Sequence, residues 1–188
     1  MTMREQQLAV AVIVGSTREG RVGDSVAEWF LERAAQRDDL KLDVVDLVDY
    51  TDLPARYPSA PTEATLRFAR HVDRADAFVV VTPEYNRSFP SALKQAIDFA
   101  YDEWHGKPVG FVSYGYESLG LYAVEQLRCV FTELHAMSLR DGVGLNLVEE
   151  LPPGPENRPS RAVTAMLDQL VWWGNALREA RAAHPYPS

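Results

Sequence analysis

The sequence is poor in the residues that form disulfides and metal sites. Its 188 residues include one cysteine, Cys129, so no disulfide can form within the chain. That cysteine stands in the apolar run 127–131, which predicts a small buried side chain rather than a reactive thiol. The four histidines are scattered, and none has metal-ligand spacing to another histidine, a cysteine or a carboxylate. We therefore predict a reducing compartment and no metal site.

Long apolar stretches and clusters of basic residues are also missing. No run approaches the roughly 20 apolar residues of a membrane span, and residues 1–7 lack the apolar core of a signal peptide. The formal net charge is -8, and no block of five or six Lys or Arg residues occurs, whereas binding to nucleic-acid phosphates needs clustered cations. We expect a cytoplasmic protein that binds neither membranes nor nucleic acids.

Apolar segments of strand length alternate with amphipathic segments of helix length. The predicted strands are 8–14, 41–47, 77–81, 109–112 and 143–148. The predicted helices are 22–37, 62–74, one beginning at Pro90, 119–135 and one around 163–177. Alternation of this kind predicts a parallel sheet with helices on both faces. We predict one α/β domain over residues 1–188, a flavodoxin-like, three-layer, doubly wound fold with five strands in the order 2-1-3-4-5.

Three loops follow predicted strands at the edge where doubly wound sheets bind ligands. The first loop (15–23) offers backbone N–H groups, two hydroxyls, two guanidiniums and a helix N-terminus, which together suit a phosphate monoester. It has neither the Gly-Lys-Ser/Thr of a P-loop nor the paired glycines of a dinucleotide fingerprint. The second loop (82–90) and the third loop (113–120) supply prolines, aromatic rings, glycines and serines, which suit a planar heterocycle. The three loops predict a ligand with a phosphate at one end and a ring at the other.

Together these loops resemble the NADPH-dependent FMN reductase family, over about residues 8–148. The resemblance rests on Gly15-Ser16-Thr17-Arg18, Thr82-Pro83-Glu84-Tyr85-Asn86, the segment from Pro90 to Asp98, Lys107-Pro108, and Ser113-Tyr114-Gly115. It implies a flavodoxin-like fold, FMN as cofactor and NADPH or NADH as reductant. It also implies a homodimer or homotetramer with the flavin near the subunit interface.

The same resemblance implies binding roles for residues in each loop. The cofactor phosphate is expected at Ser16, Arg18, Arg21, Val22 and Gly23. The isoalloxazine ring is expected at Pro83, Glu84, Tyr85 and Asn86, with its other edge at Ser113, Tyr114 and Gly115. No side chain is expected to be catalytic, because a bound flavin itself carries out hydride transfer.

Tyr116 departs from the family pattern, in which another glycine usually follows Ser-Tyr-Gly. A tyrosine at this place either covers part of the flavin and narrows the slot for nicotinamide and acceptor, or points to solvent. Tyr116 is therefore a candidate for substrate gating.

The leading interpretation is an FMN-dependent NAD(P)H oxidoreductase that passes a hydride to FMN and then electrons to free flavin, a quinone, an azo compound or a metal oxyanion. The sequence does not choose among these acceptors, nor between NADPH and NADH. A flavodoxin-type electron carrier, for which acidic charge suits docking to a basic partner, and a flavin-fold binding protein without reductase activity remain as alternatives. Apolar residues in the segment 124–131, together with Trp172 and Trp173, predict self-association.

Overall fold

The computed structural model describes residues 7–149 and 157–187. Its strands are β1 (Leu8–Val14), β2 (Leu40–Asp46), β3 (Ala77–Pro83), β4 (Pro108–Gly115), β5 (Met137–Ser138) and β6 (Val143–Asn146). Its α-helices are α1 (Gly23–Ala34), α2 (Glu63–Arg74), α3 (Ser91–Ile97), α4 (Leu121–Glu133) and α5 (Arg158–Ala183). Short 3-10 turns at Leu47–Asp49 and Asp102–Trp104 complete the described elements.

All strand pairings in the described sheet are parallel, and the order is β2-β1-β3-β4, with β5 and β6 together next to β4. β5 pairs with the start of β4 at Pro108, and β6 pairs with its end through Val112 to Gly115. The fifth position is therefore filled by two short pieces, where the sequence predicted one strand over 143–148. The predicted order 2-1-3-4-5 is confirmed.

Two hydrophobic layers enclose the sheet, as the apolar runs predicted. On one face, side chains such as Val10 and Val12 of β1 pack against α1 and α5. On the other face, Ala11 and Ile13 pack against α2, α3 and α4. The alternation along β1 follows from the period of two in a strand, and both sets of side chains are buried because helices cover both faces.

Cys129 is exposed, so the prediction of a buried side chain was wrong. The run 127–131 lies on α4, where Leu127 and Phe131 are four residues apart and share the buried face. A residue two places after Leu127 is turned about 200° around the helix axis and faces away from the sheet. The apolar composition of the run was therefore less informative than its helical period.

The tryptophans of α5 also lie outside the core. Trp172 is 64% exposed and Trp173 is 38% exposed, and their rings contact each other edge to face at 4.8 Å. Val124, Leu127 and Phe131 of α4, in contrast, are buried against the sheet. Among the described residues, no helix combines the length and the hydropathy that crossing a bilayer requires.

Candidate functional site

The three loops meet at the carboxyl edge of the sheet because the strands before them are neighbours. β3 lies between β1 and β4. The Gly15 N–H donates to the Val81 carbonyl at 2.9 Å, which holds the start of the first loop beside β3. The Glu84 N–H donates to the Tyr114 carbonyl at 3.0 Å, which joins the second loop to the third. This is the switch point of the fold, since β1 connects toward one side of the sheet and β3 toward the other.

The first loop presents hydrogen-bond donors with no protein acceptor. Within the described parts of the chain, the backbone N–H groups of residues 16–21 donate to no protein atom. Residues 17–20 are exposed, and helix α1 begins immediately after the loop at Gly23. Unpaired amides before a helix N-terminus form an environment that favours an anion, because both the N–H dipoles and the helix dipole point positive charge at it.

Ser16 is the buried centre of this loop. Its side chain is fully buried, and its Oγ lies 2.9 Å from the Tyr85 hydroxyl oxygen. The Ser16 hydroxyl therefore contacts a side chain of the second loop, which brings a residue predicted at the phosphate next to one predicted at the ring.

Arg21 was expected to hold the phosphate, and in the structure its guanidinium is already paired with carboxylates. Nη1 and Nη2 donate to the two Asp46 carboxylate oxygens at 2.7 and 2.5 Å, and Nη2 lies 2.5 Å from Asp24. Nη1 also donates to the Ser16 carbonyl. The hydrogen bonds, above all those to Asp46, raise the pKa of Arg21 above its usual value. The Arg21 charge is therefore neutralised by the two carboxylates, and its guanidinium holds the first loop through the Ser16 carbonyl.

Arg18 has different surroundings. It is exposed and forms no ion pair with any carboxylate in the residues that the structure describes. Its guanidinium carbon lies 5.9 Å from the centre of the Tyr85 ring, on the rim of the site. Of the two arginines predicted for the phosphate, Arg18 has its donors available.

The second loop is a tight hairpin. Tyr85 and Ser88 exchange backbone hydrogen bonds of 2.8 and 2.9 Å, and Asn86 and Arg87 between them both have positive φ, the arrangement of a type I′ turn. The hairpin turns the Tyr85 side chain toward the first loop. Pro83 before it is buried in the last pairing of β3 with β4.

Glu84 connects the second loop to α4. One carboxylate oxygen accepts from the Ser118 hydroxyl at 2.8 Å and from the Tyr122 N–H at 3.1 Å. Tyr122 lies in the first turn of α4, where backbone N–H groups lack helical partners and a negative charge is favourable. The side chain of Glu84 thus positions the third loop, and its backbone N–H bonds to the Tyr114 carbonyl at the carboxyl edge of the sheet.

The side chains of Ser113 and Tyr114, at the start of the third loop, are buried and contact other parts of the protein. The Ser113 hydroxyl donates to the Leu119 carbonyl at 2.8 Å. The Tyr114 ring is buried beneath the first loop, where a Cβ at residue 23 would lie 2.7 Å from its hydroxyl oxygen, so only glycine fits there. Burial raises the pKa of Tyr114, so its hydroxyl stays protonated. The backbone of Ser113, Tyr114 and Gly115 pairs with β3 on one side and β6 on the other.

Tyr116 follows directly, with its side chain 68% exposed. The chain then turns through Leu119 and Gly120, which have φ of 55° and 83°.

Val22, also predicted at the phosphate, is exposed at the N-cap of α1.

Several residues that shape the site were missing from the sequence prediction. Asp46, Ser118, Tyr122 and Gln126 each contact a predicted site residue or its hairpin from a distant part of the chain. Their partners lie 25 to 39 residues away in sequence. The only local signal was the acidic residue ending β2, which sequence reasoning alone would place at a solvated strand end.

These contacts fit a ligand with a phosphate and a flat ring. The amides of the exposed residues 17–20 and the Arg18 guanidinium match a phosphate monoester, and the adjoining hairpin carries the half-buried Tyr85 ring. Among the described residues, no group of three or more His, Cys, Asp or Glu side chains is arranged to hold a metal ion.

Comparison with known proteins agrees with this geometry. The family model for NADPH-dependent FMN reductase matches residues 8–149. The NAD(P)H-dependent FMN reductase LOT6 of Saccharomyces cerevisiae is 36% identical over 167 residues, covering 80% of this chain and 86% of the yeast protein. A quinone reductase of Pseudomonas putida is 37% identical over 183 residues, covering 89% of this chain and 95% of that protein.

Solved structures support the fold. FerB, described as a flavoenzyme NAD(P)H:(acceptor) oxidoreductase from Paracoccus denitrificans, superposes with a TM-score of 0.68 at 23% identity, covering 90% of this chain and 98% of that one. At that identity the likeness shows a shared fold alone. The sequence matches carry the assignment further: this chain belongs to the NADPH-dependent FMN reductase family and is an FMN-dependent NAD(P)H oxidoreductase.

Proposed function

We propose that the three loops bind FMN in one orientation. NADPH would reduce the bound FMN, and the reduced FMN would then pass its electrons to a quinone. The observation that carries the proposal is the run of unpaired N–H groups over residues 16–21 beside the buried Ser16 hydroxyl. These donors would hold the phosphate at the first loop. The ring would then lie over the carboxyl ends of β3 and β4, because the hairpin and the third loop border that space.

The division of work among the predicted residues follows their contacts. We assign Ser16, Arg18 and the first-loop amides to the phosphate, with Val22 and Gly23 supplying the start of α1. Arg21 acts one step away, since it holds the Ser16 carbonyl and is neutralised by Asp46 and Asp24.

The ring would be bordered by Pro83, Tyr85 and Asn86 on one side and by the backbone of Ser113, Tyr114 and Gly115 on the other. Glu84 would keep these two borders at a constant separation through Ser118 and α4. When bound, FMN supplies the hydride chemistry, accepting from the nicotinamide and giving to the acceptor. The protein's part is to orient the cofactor and leave one ring face open to both substrates in turn.

Relatives named quinone reductases support a quinone as the acceptor. We further propose that each chain forms one FMN-binding domain and that the chains assemble into a homodimer or homotetramer. The exposed tryptophans of α5 support the assembly. The cytoplasmic location expected from the sequence stays a prediction.

The experiment compares FMN with riboflavin on apoprotein. Charge-assisted hydrogen bonds are worth roughly 1.5–3 kcal/mol each, so the phosphate should tighten binding by at least about tenfold, as measured by quenching of flavin fluorescence. Arg18→Ala should shrink this ratio. Arg70→Ala, which removes an exposed arginine on α2, should leave it unchanged.

Equal dissociation constants for FMN and riboflavin would contradict the assignment of the first loop. The reconstituted holoprotein should then oxidise NADPH in the presence of a quinone under steady-state conditions. A flavin-loaded protein that oxidises neither NADPH nor NADH would contradict the proposed reaction.

A further inference from the structure

Arg87 occupies a backbone conformation that does not suit it. It is the second central residue of the hairpin turn, with φ of 63°. Type I′ turns favour glycine here, because a side chain is strained at positive φ. Residues with strained backbone conformations occur often at ligand-binding sites, where the function of the side chain offsets the cost of the strain.

The Arg87 guanidinium is held in place and still has donors available. Its carbon lies 4.3 Å from the centre of the Tyr122 ring, a cation–π contact. Gln126 fixes the hairpin beneath it, accepting from the Ser88 hydroxyl at 2.7 Å and donating to the Arg87 carbonyl at 2.6 Å. In the described ranges, 7–149 and 157–187, Arg87 has no ion pair with a carboxylate. Other arginines of this acidic chain, such as Arg21 and Arg37, are paired with carboxylates.

We propose that Arg87 binds a phosphate of the pyridine nucleotide, either the 2′-phosphate of NADPH or the pyrophosphate shared by NADPH and NADH. The inference rests on the proposed function, in which Arg18 and the first loop already serve the FMN phosphate. Arg87 lies two residues after Tyr85 on the same hairpin, and the Tyr85 hydroxyl contacts Ser16 of the first loop, so a nucleotide that approaches the proposed flavin site at this loop comes near the Arg87 guanidinium. A planar guanidinium lying on an aromatic ring is suited to paired hydrogen bonds with phosphate oxygens.

The variant Arg87→Gly removes the guanidinium and at the same time suits the positive φ, so the hairpin is expected to persist. Arg70→Ala is the matched control, since Arg70 is also exposed and has no carboxylate partner in the described part of the chain, but lies near the C-terminal end of α2, at the opposite edge of the sheet. Binding of NADP⁺ and of NAD⁺ to FMN-loaded protein is measured by isothermal titration calorimetry. The flavin absorbance of each preparation reports its FMN content.

We expect Arg87→Gly to weaken NADP⁺ binding by about tenfold with unchanged FMN content, and Arg70→Ala to have no such effect. Weakening confined to NADP⁺ supports contact with the 2′-phosphate, and equal weakening of NADP⁺ and NAD⁺ supports contact with the pyrophosphate. In either case Arg87→Lys, which keeps the charge without the planar fork, should lie between wild type and Arg87→Gly.

Unchanged affinity of Arg87→Gly for both nucleotides would overturn the inference. That failure is distinct from failure of the proposed function. In the first case the wild-type protein oxidises NAD(P)H and the variant binds nucleotide as well as wild type does. In the second case wild-type protein carrying FMN oxidises neither NADPH nor NADH, and both proposals are overturned.

Discussion

Tyr85 and Tyr116 stand on the same rim of the sheet in opposite surroundings. The Tyr85 hydroxyl is bonded to Ser16, and its ring is half-buried between the first loop and the hairpin. Tyr116 exposes 68% of its side chain, which takes part in no ring stacking and no hydrogen bond in the residues that the structure describes. The Tyr85 side chain is thus held against the first loop, whereas the Tyr116 side chain extends into solvent.

The gating prediction for Tyr116 is tested by removing its ring. Tyr116→Gly and Tyr116→Ala should both raise the ratio of kcat/KM for a large quinone over that for a small one, because a narrower slot discriminates by size. FMN affinity should fall by about 0.5–1.5 kcal/mol if the ring stacks on the flavin. An effect of Tyr116→Gly without one of Tyr116→Ala would indicate loop flexibility instead. An unchanged quinone ratio in both variants would rule out gating.

Lys107 shows how one side chain joins two elements. It precedes β4, and its Nζ donates to the Val72 and Asp73 carbonyls at 2.8 and 2.9 Å. Those carbonyls belong to the last turn of α2, where helical acceptors lack N–H partners. The side chain is buried, and desolvation lowers the pKa of Lys107 from 10.5 to about 8, with the nearby Arg181 charge adding to the effect.

This lowered pKa predicts that stability rises with pH. Between about pH 8 and 10.5 the unfolded chain binds a proton at Lys107 that the folded protein has lost, so the free energy of unfolding increases through this window. The increase from pH 7.5 to 9.5 should be on the order of 2 kcal/mol. Urea unfolding at both pH values measures it.

Lys107→Met is the control for the pH experiment. It should be less stable at pH 7.5, because the Asp73 carbonyl loses the Lys107 donor and the Val72 carbonyl keeps only the Ala75 N–H, and it should lack the part of the rise with pH that belongs to Lys107. The same rise in the variant as in wild type would assign the pH dependence to other groups.

At the scale of the whole molecule, the surface combines a net charge of -8 with exposed aromatic side chains. The α4 residues Val124, Leu127 and Phe131, from which self-association was partly predicted, are buried in the chain's own core. The prediction therefore depends on Trp172 and Trp173. Exposed aromatic pairs of this size more often mark contacts than bare surface.

Sedimentation velocity at micromolar concentration should accordingly show a species larger than the 21.1 kDa monomer. The double variant Trp172→Ser, Trp173→Ser should shift the distribution toward monomer, whereas Cys129→Ser, an exposed change on α4, should not. A monomer alone in the wild-type experiment would contradict self-association.

Much of the fold was predictable because it depends on local periods. The bounds of β1 were predicted to the residue, and most other helices and strands were placed within a few residues, since strands and helices repeat their apolar residues every two and every three to four positions. The last helix was predicted around 163–177 and is longer, Arg158–Ala183. The exceptions are instructive. The split of the fifth strand into Met137–Ser138 and Val143–Asn146 and the exposure of Cys129 have no local signature that composition alone reveals.

By itself, then, the sequence determined the order of elements, and it predicted the edge of the sheet and the three loops of the candidate site, because strand alternation and loop composition are properties of neighbouring residues. Tertiary structure decided which side chains of those loops are available to a ligand. Arg21 and Arg18 belong to the same loop, but Arg21 pairs with Asp46 of β2 as well as with the neighbouring Asp24, whereas Arg18 pairs with no carboxylate among the described residues. Likewise the Glu84 carboxylate accepts hydrogen bonds from the third loop and α4, and the Ser113 hydroxyl donates to a carbonyl of the third loop, so neither side chain is available to a ligand. Such contacts join residues distant along the chain, so they exist only once the sheet has brought its strands together.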